Sequence, residues 1–344
     1  MSQKNVVFFD SISKKKKKSK SKLLSADPKN SMPWVEKYRP QMIDDIIVNN
    51  YIRMKINFII QEKSMPNLII TGCPGTGKTS TVLCIARKLL ADQYDEAVLE
   101  LNASDDRGLN MINNTIMHFC KKKMDNVNHK IIILDEADSI TSKAQNLLNN
   151  IIETYVKNTR FAFICNDSSK ITESIQSRCM ILRFPRLDNI SIKQRIEYIC
   201  QKENIQFNDE GLEAINFASN GDIRQAINNL ESVYNTYEKI TKDNVFKICD
   251  KPKPIVIKGI FDSCSNNDIK TAIKNMIQLK GLGYSANDIL LTMINMLKDN
   301  YEIDIDDEKK IKFMKDISST YIKVNDGTDT LLQLTGCISK MCNN

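Results

Sequence analysis

The central part of the chain alternates short apolar runs with longer stretches of mixed polarity. Runs that are apolar at nearly every position are typical of parallel strands covered on both faces. The stretches between them have apolar residues at helical spacing, which predicts an α/β domain with a parallel sheet. The five predicted strands are at 67–71, 98–102, 130–135, 160–165 and 179–184.

The pattern changes after Pro185, where the predicted strands stop and helical spacing continues to about residue 249. The sequence "DKPKP" at 250–254 then breaks the chain, because proline restricts its predecessor and cannot donate a backbone hydrogen bond. Helical spacing resumes beyond it. The domains that we predict are an α/β domain at 34–187, a helical domain at 188–250 and an all-helical domain at 251–344, after a tail at 1–33.

The tail differs from the rest of the chain in composition. It is rich in Lys and Ser and poor in apolar residues, so we predict that it is disordered. Its nine lysines and two aspartates account for the whole net charge of +7, and the other 311 residues contain 40 basic and 40 acidic side chains. Nucleic-acid contacts of the folded part must therefore depend on local placement of charge.

Several classes of protein are excluded by composition. No apolar stretch approaches the ~18 residues of a membrane span, and the start has no apolar core of a secretory signal, so we expect neither a membrane protein nor a secreted one. The ten cysteines include no Cys-x-x-Cys pair, and the histidines are only two, which argues against a zinc site. Reduced cysteines in the cytosol or nucleus are expected.

One motif predicts phosphate binding. The sequence "GCPGTGKT" lies between a predicted strand and a predicted helix and matches G-x-x-x-x-G-K-T. Its glycines let backbone N–H groups face phosphate oxygens, and the helix adds the positive end of its dipole. In this pattern Lys78 reaches the β- and γ-phosphates and Thr79 binds Mg²⁺. The predicted loop comprises Gly72, Cys73, Pro74, Gly75, Thr76, Gly77, Lys78, Thr79 and Ser80.

Polar residues end or follow the third and fourth predicted strands, at the sheet edge where open α/β sheets bind ligands. We interpret Asp135 as a Mg²⁺ partner and Glu136 as the residue that polarises the attacking water. Asp138 is interpreted as a helix cap. Asn166 ends the following strand, and its amide is a candidate for orienting the water against the γ-phosphate.

Two arginines need an explanation. Arg178 directly precedes an apolar strand, and an unpaired buried charge costs several kcal/mol. It must therefore be solvated, paired with an acid or directed at an anion. Arg224 follows Gly221 and Asp222, which mark the start of a predicted helix. It is either solvated or a γ-phosphate sensor that couples hydrolysis to movement of a helical lid.

Taken together, the motifs resemble one family. In order they are "PWVEKYRP" (33–40), "GCPGTGKT", "LELNASDDRG" (99–108), "ILDEAD", "FICN", "SRC", "GDIRQAIN" and "DGTDTLLQL" (326–334). From Pro33 to its end the chain resembles a small subunit of replication factor C, the sliding-clamp loader of the AAA+ ATPase superfamily. The resemblance implies an AAA+ P-loop domain, a helical lid and an all-α collar that holds five subunits in a ring, most simply a hetero-pentamer.

The resemblance also implies roles for individual residues. ATP would contact Val35 and Arg39 on its adenine and ribose side, Asn166 would be the first sensor and Arg224 the second. Arg178 would be an arginine finger, meaning an arginine that reaches the ATP of the neighbouring subunit. The ring would hydrolyse ATP, mainly when assembled, to open a sliding clamp and load it onto primer-template DNA.

The sequence departs from the family pattern where arginines are common, at Asn113, Asn149 and Asn150. Contacts with the DNA backbone are therefore expected to be weaker there. Arg107, Lys143 and the lysine run at 121–123 remain basic candidates, and a solvated face is the alternative for the run. In the tail, a solubility segment, a nuclear signal, a phosphate-binding arm and a degenerate clamp-binding peptide at Gln3, Val6 and Phe9 stay open.

Two alternatives remain at this stage. One is another DNA-acting AAA+ ATPase, such as a branch-migration helicase or an origin-loading factor. The other is a scaffold subunit that binds ATP without hydrolysing it. The expected location is the nucleus for a cellular protein, or the replication site in the host cell for a protein of a large DNA virus.

Overall fold

The computed structural model describes residues 32–104, 111–124, 128–249, 251–299, 301, 303 and 305–343, with the backbone alone at 111–113. Nearly all of the predicted tail, including the proposed clamp-binding peptide, lies outside the described residues. The same holds for Arg107 and for the side chain of Asn113.

A five-stranded parallel sheet forms the centre of the first half of the chain. Its strands are β1 (Leu68–Gly72), β2 (Val98–Asn102), β3 (Lys130–Asp135), β4 (Thr159–Cys165) and β5 (Met180–Phe184). They lie in the order β2-β3-β4-β1-β5, so β1 is an inner strand that pairs with β4 on one side and β5 on the other. The prediction of five parallel strands is confirmed, with ends that differ by at most one residue.

Helices pack on both faces of the sheet. They are α1 (Trp34–Lys37), α2 (Asn50–Gln61), α3 (Lys78–Leu90), α4 (Tyr94–Ala97), α5 (Met117–Lys121), α6 (Ser142–Thr154) and α7 (Glu173–Gln176). Neighbouring residues of the inner strands enter opposite layers of core, because side chains alternate between the two faces of a sheet. Ile69 packs into one cluster with residues of α5, α6 and α7, whereas Leu68 and Ile70 pack into another with residues of α2 and α3. Burial on both faces explains why the inner strands are apolar at most positions.

The second half of the chain is helical, as predicted, with one exception. Two short strands, β6 (Gln206–Phe207) and β7 (Lys239–Ile240), pair in parallel. Two residues each are too few to give a period-2 pattern, which is why the expectation that strands stop after Pro185 was wrong. The helices are α8 (Asn189–Lys202), α9 (Asp209–Ser219), α10 (Ile223–Tyr237), α11 (Lys242–Ile248), α12 (Pro254–Ser265), α13 (Ile269–Gly281), α14 (Ala286–Asp299), α15 (Asp307–Asn325) and α16 (Leu331–Asn343).

The chain forms two compact units. The first extends to Ile192 and includes Gly221–Asn228, and the second comprises Lys193–Asn220 and the chain from Asn229 onwards. One core cluster of the second unit is built from helices α12 to α16, where the rings of Phe261 and Phe313 stack with centroids 6.1 Å apart. No helix of the described residues is both long enough and apolar enough to cross a membrane.

A buried histidine makes the stability of the first unit sensitive to pH. The His129 side chain is 4 % exposed, and its Nε2 accepts a hydrogen bond from the backbone N–H of Met65 at 3.4 Å. Burial, assisted by the nearby charge of Arg160, lowers the pKa of His129 from 6.5 to about 4. Between these two values the unfolded chain binds a proton that the folded chain does not.

We therefore expect full stability above pH 6.5 and a loss as the pH falls towards 4. The free energy of unfolding should decrease by about 2 kcal/mol between pH 7 and pH 5 through this group. Urea denaturation of the chain at both pH values measures the change. His129→Gln should remove most of it, and the matched variant of the exposed His118, His118→Gln, should not. An unchanged pH dependence in His129→Gln would contradict the assignment.

Candidate nucleotide-binding site

The predicted phosphate loop connects β1 to α3. Gly75 and Gly77 have φ angles of +67° and +86°, which side chains rarely adopt, so glycine is required for this path. Gly72 is required for a different reason, because a Cβ there would lie 2.1 Å from the carbonyl oxygen of Phe184 on β5. The loop leads into the first turn of α3. The N–H groups of that turn and the dipole of the helix favour binding of an anion.

Lys78 is 8 % exposed, because its side chain turns back into the phosphate loop. Its Nζ donates to the carbonyl oxygens of Gly72 and Cys73, both at 2.8 Å, and to Oδ1 of Asn166 at 3.0 Å. Burial lowers the pKa of the Lys78 amine, and the Asp135 carboxylate partly opposes this shift. An ammonium has three N–H donors, so all of them are used, and a phosphate would have to replace one of these partners.

Asp135 and Thr79 form the second part of the site. Thr79 Oγ1 donates to Asp135 Oδ2 at 2.9 Å, and the backbone N–H of Glu136 donates to Asp135 Oδ1 at 2.9 Å. A hydroxyl beside a carboxylate is the type of oxygen donor set that suits Mg²⁺. Glu136 is exposed and has a φ of +53°, a strained conformation for a residue with a side chain and one that clusters at functional sites.

Asn166 is fixed by both its backbone groups and its side chain. Its N–H donates to Asp138 Oδ2 at 3.3 Å, and its carbonyl oxygen accepts from Thr71 Oγ1 at 3.2 Å. The interpretation of Asp138 as a helix cap was wrong. The residue that precedes α6 is Thr141, and the Asp138 carboxylate instead holds the strand end that presents Asn166 to Lys78.

The segment before α2 lies along α3. Arg39 Nε donates to Ser80 Oγ at 3.4 Å, and Cys84 Sγ donates to the carbonyl oxygen of Pro40 at 3.4 Å. Val35 is half-buried in the short helix α1. Arg39 therefore lies next to the phosphate loop, where it contacts Ser80.

The start of α10 contacts the phosphate loop within the same compact unit. The N–H of Ile223 donates to the carbonyl oxygen of Gly75 at 3.2 Å, and the Asp222 carboxylate lies directly over Gly75. Arg224 is exposed in the first turn of α10, and its charge contributes to lowering the pKa of Lys78. The predicted helix start at Gly221 and Asp222 is confirmed.

Arg178 belongs to a different cluster. Its guanidinium pairs with Glu153 of α6 and donates to the carbonyl oxygen of Ser174 at 2.8 Å. Of the three options open for this residue, the structure shows partial exposure combined with pairing to an acid. Glu153 also accepts a hydrogen bond from Asn149 Nδ2 at 3.3 Å, while Asn150 and Lys143 are exposed on the same helix.

Gln145 is a residue that the sequence reasoning missed. Its buried amide donates to the carbonyl oxygens of Ile140 and Lys170 and accepts from the N–H of Thr172, at 2.7 to 3.0 Å. These bonds fix α6 to the segment that leads into α7 and Arg178. A signal was available, since Gln145 is the one polar residue among the buried positions of α6, next to Ala144, Leu148 and Ile152.

Comparison with protein families matches three models along the chain. They are described as ATPase family associated with various cellular activities (AAA) at residues 68–186, RFC1-like, AAA+ ATPase lid domain at 190–247, and replication factor C C-terminal domain at 252–340. Among solved structures, the Thermotoga maritima RuvB Holliday junction branch migration motor covers 66 % of this chain and 78 % of its own, with a TM-score of 0.52 and 17 % identity. That likeness shows the AAA+ fold alone.

Curated relatives are much more similar in sequence. Replication factor C subunit 2 of Arabidopsis thaliana is 44 % identical over 90 % of this chain and 92 % of its own. Subunit 4 of Saccharomyces cerevisiae is 41 % identical over 90 % and 95 %, and a protein of Acanthamoeba polyphaga mimivirus named as a replication factor C small subunit is 43 % identical over 91 % and 97 %. With an AAA+ fold, a matching C-terminal domain and relatives aligned over nine tenths of its length, the chain belongs to the replication factor C small-subunit family, the ATPases of the sliding-clamp loader.

Proposed function

We propose that this subunit hydrolyses ATP at its own site and that its Arg178 completes the site of a neighbouring subunit. Two hydrogen bonds from adjacent residues support an active site most directly. Lys78 donates to Asn166, and Thr79 donates to Asp135. These bonds gather, from the start of α3 and the ends of β3 and β4, groups that phosphoryl transfer requires. A subunit that only bound ATP would not need Glu136 and Asn166 at this edge of the sheet.

The residues present fit Mg²⁺ and a nucleoside triphosphate. Thr79 and Asp135 would hold the ion, which when bound neutralises charge on the β- and γ-phosphate oxygens. The loop amides from Gly75 to Ser80 would hold the phosphates, and Val35 and Arg39 the adenosine. ATP and Mg²⁺ are therefore the proposed ligands.

Four side chains would then perform the reaction steps. Lys78 would exchange loop carbonyls for oxygens of the β- and γ-phosphates, and Glu136 would accept a hydrogen bond from the attacking water and orient it. Asn166, held by Asp138, would fix the position of the water. Arg224, at the start of α10, would sense the γ-phosphate, because α10 already contacts the loop through Ile223 and Gly75.

The proposed partners are other clamp-loader subunits, in a hetero-pentamer, together with a sliding clamp and primer-template DNA. We retain Arg107 and Lys143 as candidate DNA contacts on the basis of their charge alone. Binding to the DNA backbone should be weaker where Asn113, Asn149 and Asn150 replace arginine.

The proposed domains are 34–187, 188–250 and 251–344. The proposed location is the nucleus or, for a viral protein, the replication site of the host cell, since both eukaryotic and viral relatives exist.

The test is Glu136→Gln in the assembled complex. The variant keeps the size of the side chain but removes the charge that orients water, so ATP binding should persist while this subunit's hydrolysis is lost. Total ATPase activity of the complex, with clamp and DNA present, should fall by this subunit's share. Glu100→Gln, which changes an exposed glutamate of β2 in the same unit, is the matched control. An unchanged total in Glu136→Gln would assign the subunit to the non-hydrolysing class.

A further inference from the structure

The guanidinium of Arg178 is occupied by its own chain. One terminal nitrogen, Nη1, donates to the carbonyl oxygen of Ser174 at 2.8 Å and lies 3.4 Å from Ser177 Oγ. The other, Nη2, pairs with Glu153 Oε1. A phosphate is bound most strongly by two parallel N–H groups of one guanidinium, so this arrangement withholds the groups that an arginine finger offers.

Glu153 is itself held in place from α6. Asn149 lies four residues before it, one helical turn away, and donates from Nδ2 to the same oxygen that Arg178 contacts. Asn149 is neutral, so it orients the carboxylate without satisfying its charge. The negative charge of the Glu153 carboxylate is therefore available to form the ion pair with Arg178.

The pair is weak enough to open. The side chains of Arg178 and Glu153 are 39 % and 49 % exposed, and ion pairs as exposed as this one contribute little to stability. A triphosphate has more negative charge than one carboxylate and binds both terminal nitrogens, so it should displace Glu153 when a neighbouring subunit presents it.

We propose that Glu153 is a positioning residue that holds the arginine finger in a disengaged state until the nucleotide of the neighbour competes for it. The proposal rests on the proposed function, since it requires that Arg178 act on the neighbour. Glu153 makes no contact with substrate and acts through Arg178. Its effect is to keep hydrolysis low while the subunits are not aligned.

The test uses the assembled complex without DNA, where alignment is least complete. Glu153→Gln should raise the steady-state ATPase rate about two- to fivefold, the change expected from loss of an exposed ion pair. Loss of a contact that is merely structural would not increase the rate. Asn149→Arg should have the same effect, because a second cation one turn away draws the carboxylate from Arg178 while leaving Glu153 and the finger intact.

Two controls separate this proposal from the one on which it rests. Glu308→Gln removes another exposed ion pair, with Lys312, and should leave the rate unchanged. Arg178→Ala should lower the rate, and the double variant of Arg178 and Glu153 should match Arg178→Ala alone. If Arg178→Ala has no effect on the rate, the assignment of Arg178 as an arginine finger is wrong. If Arg178→Ala lowers the rate while Glu153→Gln lowers it or leaves it unchanged, the proposal for Glu153 is overturned.

Discussion

Arg178→Ala should reduce hydrolysis at the neighbouring subunit's site about 10³-fold, the range found for arginine fingers in other phosphoryl-transfer enzymes. The physical reason is the charge that develops on the γ-phosphate oxygens in the transition state, which a guanidinium in a site with little water stabilises strongly. The ATP site of the subunit itself is built from other residues, so its affinity for ATP should not change.

The measurement needs a complex in which only the neighbouring site can turn over, so that its single-site rate is observed. Binding of a fluorescent ATP analogue to the isolated variant chain reports on the subunit's own site. Arg183→Ala changes another exposed arginine on the strand that follows Arg178, and it serves as the matched control. Loss of ATP binding by the isolated Arg178→Ala chain would contradict the assignment to a neighbour's site.

Lys78→Met should weaken ATP binding to the isolated chain about 100-fold. Hydrogen bonds to a charged group contribute roughly 1.5–3 kcal/mol, and each 1.4 kcal/mol changes the dissociation constant tenfold. Methionine fills a similar volume, so the buried position stays packed, but the carbonyls of Gly72 and Cys73 lose their donor. A modest decrease in stability should accompany the loss of affinity.

Titration with the fluorescent analogue measures the affinity, and thermal unfolding without nucleotide measures the stability. Lys88→Met removes an exposed lysine from the last turn of the same helix and should change neither. In the wild-type chain, saturating ATP with Mg²⁺ should raise the unfolding temperature, because a ligand that binds only the folded state stabilises it. An equal rise in Lys78→Met would contradict the proposed role of Lys78.

Much of this site could be predicted because its chemistry is local in sequence. The loop from Gly72 to Thr79 is one continuous turn between a strand and a helix, so its residues are neighbours in any fold that forms both elements. Burial on both faces made the three inner strands, β1, β3 and β4, apolar at most positions, and parallel strands bring their carboxyl ends to one edge. Asp135 and Asn166 could therefore be assigned to the same place without a structure.

The partners of these residues were not predictable in the same way. Asp138 holds the backbone of Asn166, which is 28 positions away, and Gln145 reaches Lys170 and Thr172 across a similar distance. A polar residue near a helix start has the same local pattern whether it caps that helix or binds a neighbouring strand. Only the packing of α6 against the sheet decides between these options.

The sequence by itself determined the AAA+ fold, the phosphate loop and its acids, and the family, because each depends on short patterns of apolar spacing and on contiguous motifs. The tertiary structure decided what those patterns leave open. It placed the amine of Lys78 against Asn166, 88 positions away, and it paired Arg178 with Glu153, 25 positions away. Contacts over such distances depend on which helix covers which strand, a property of the packed core that no local pattern contains.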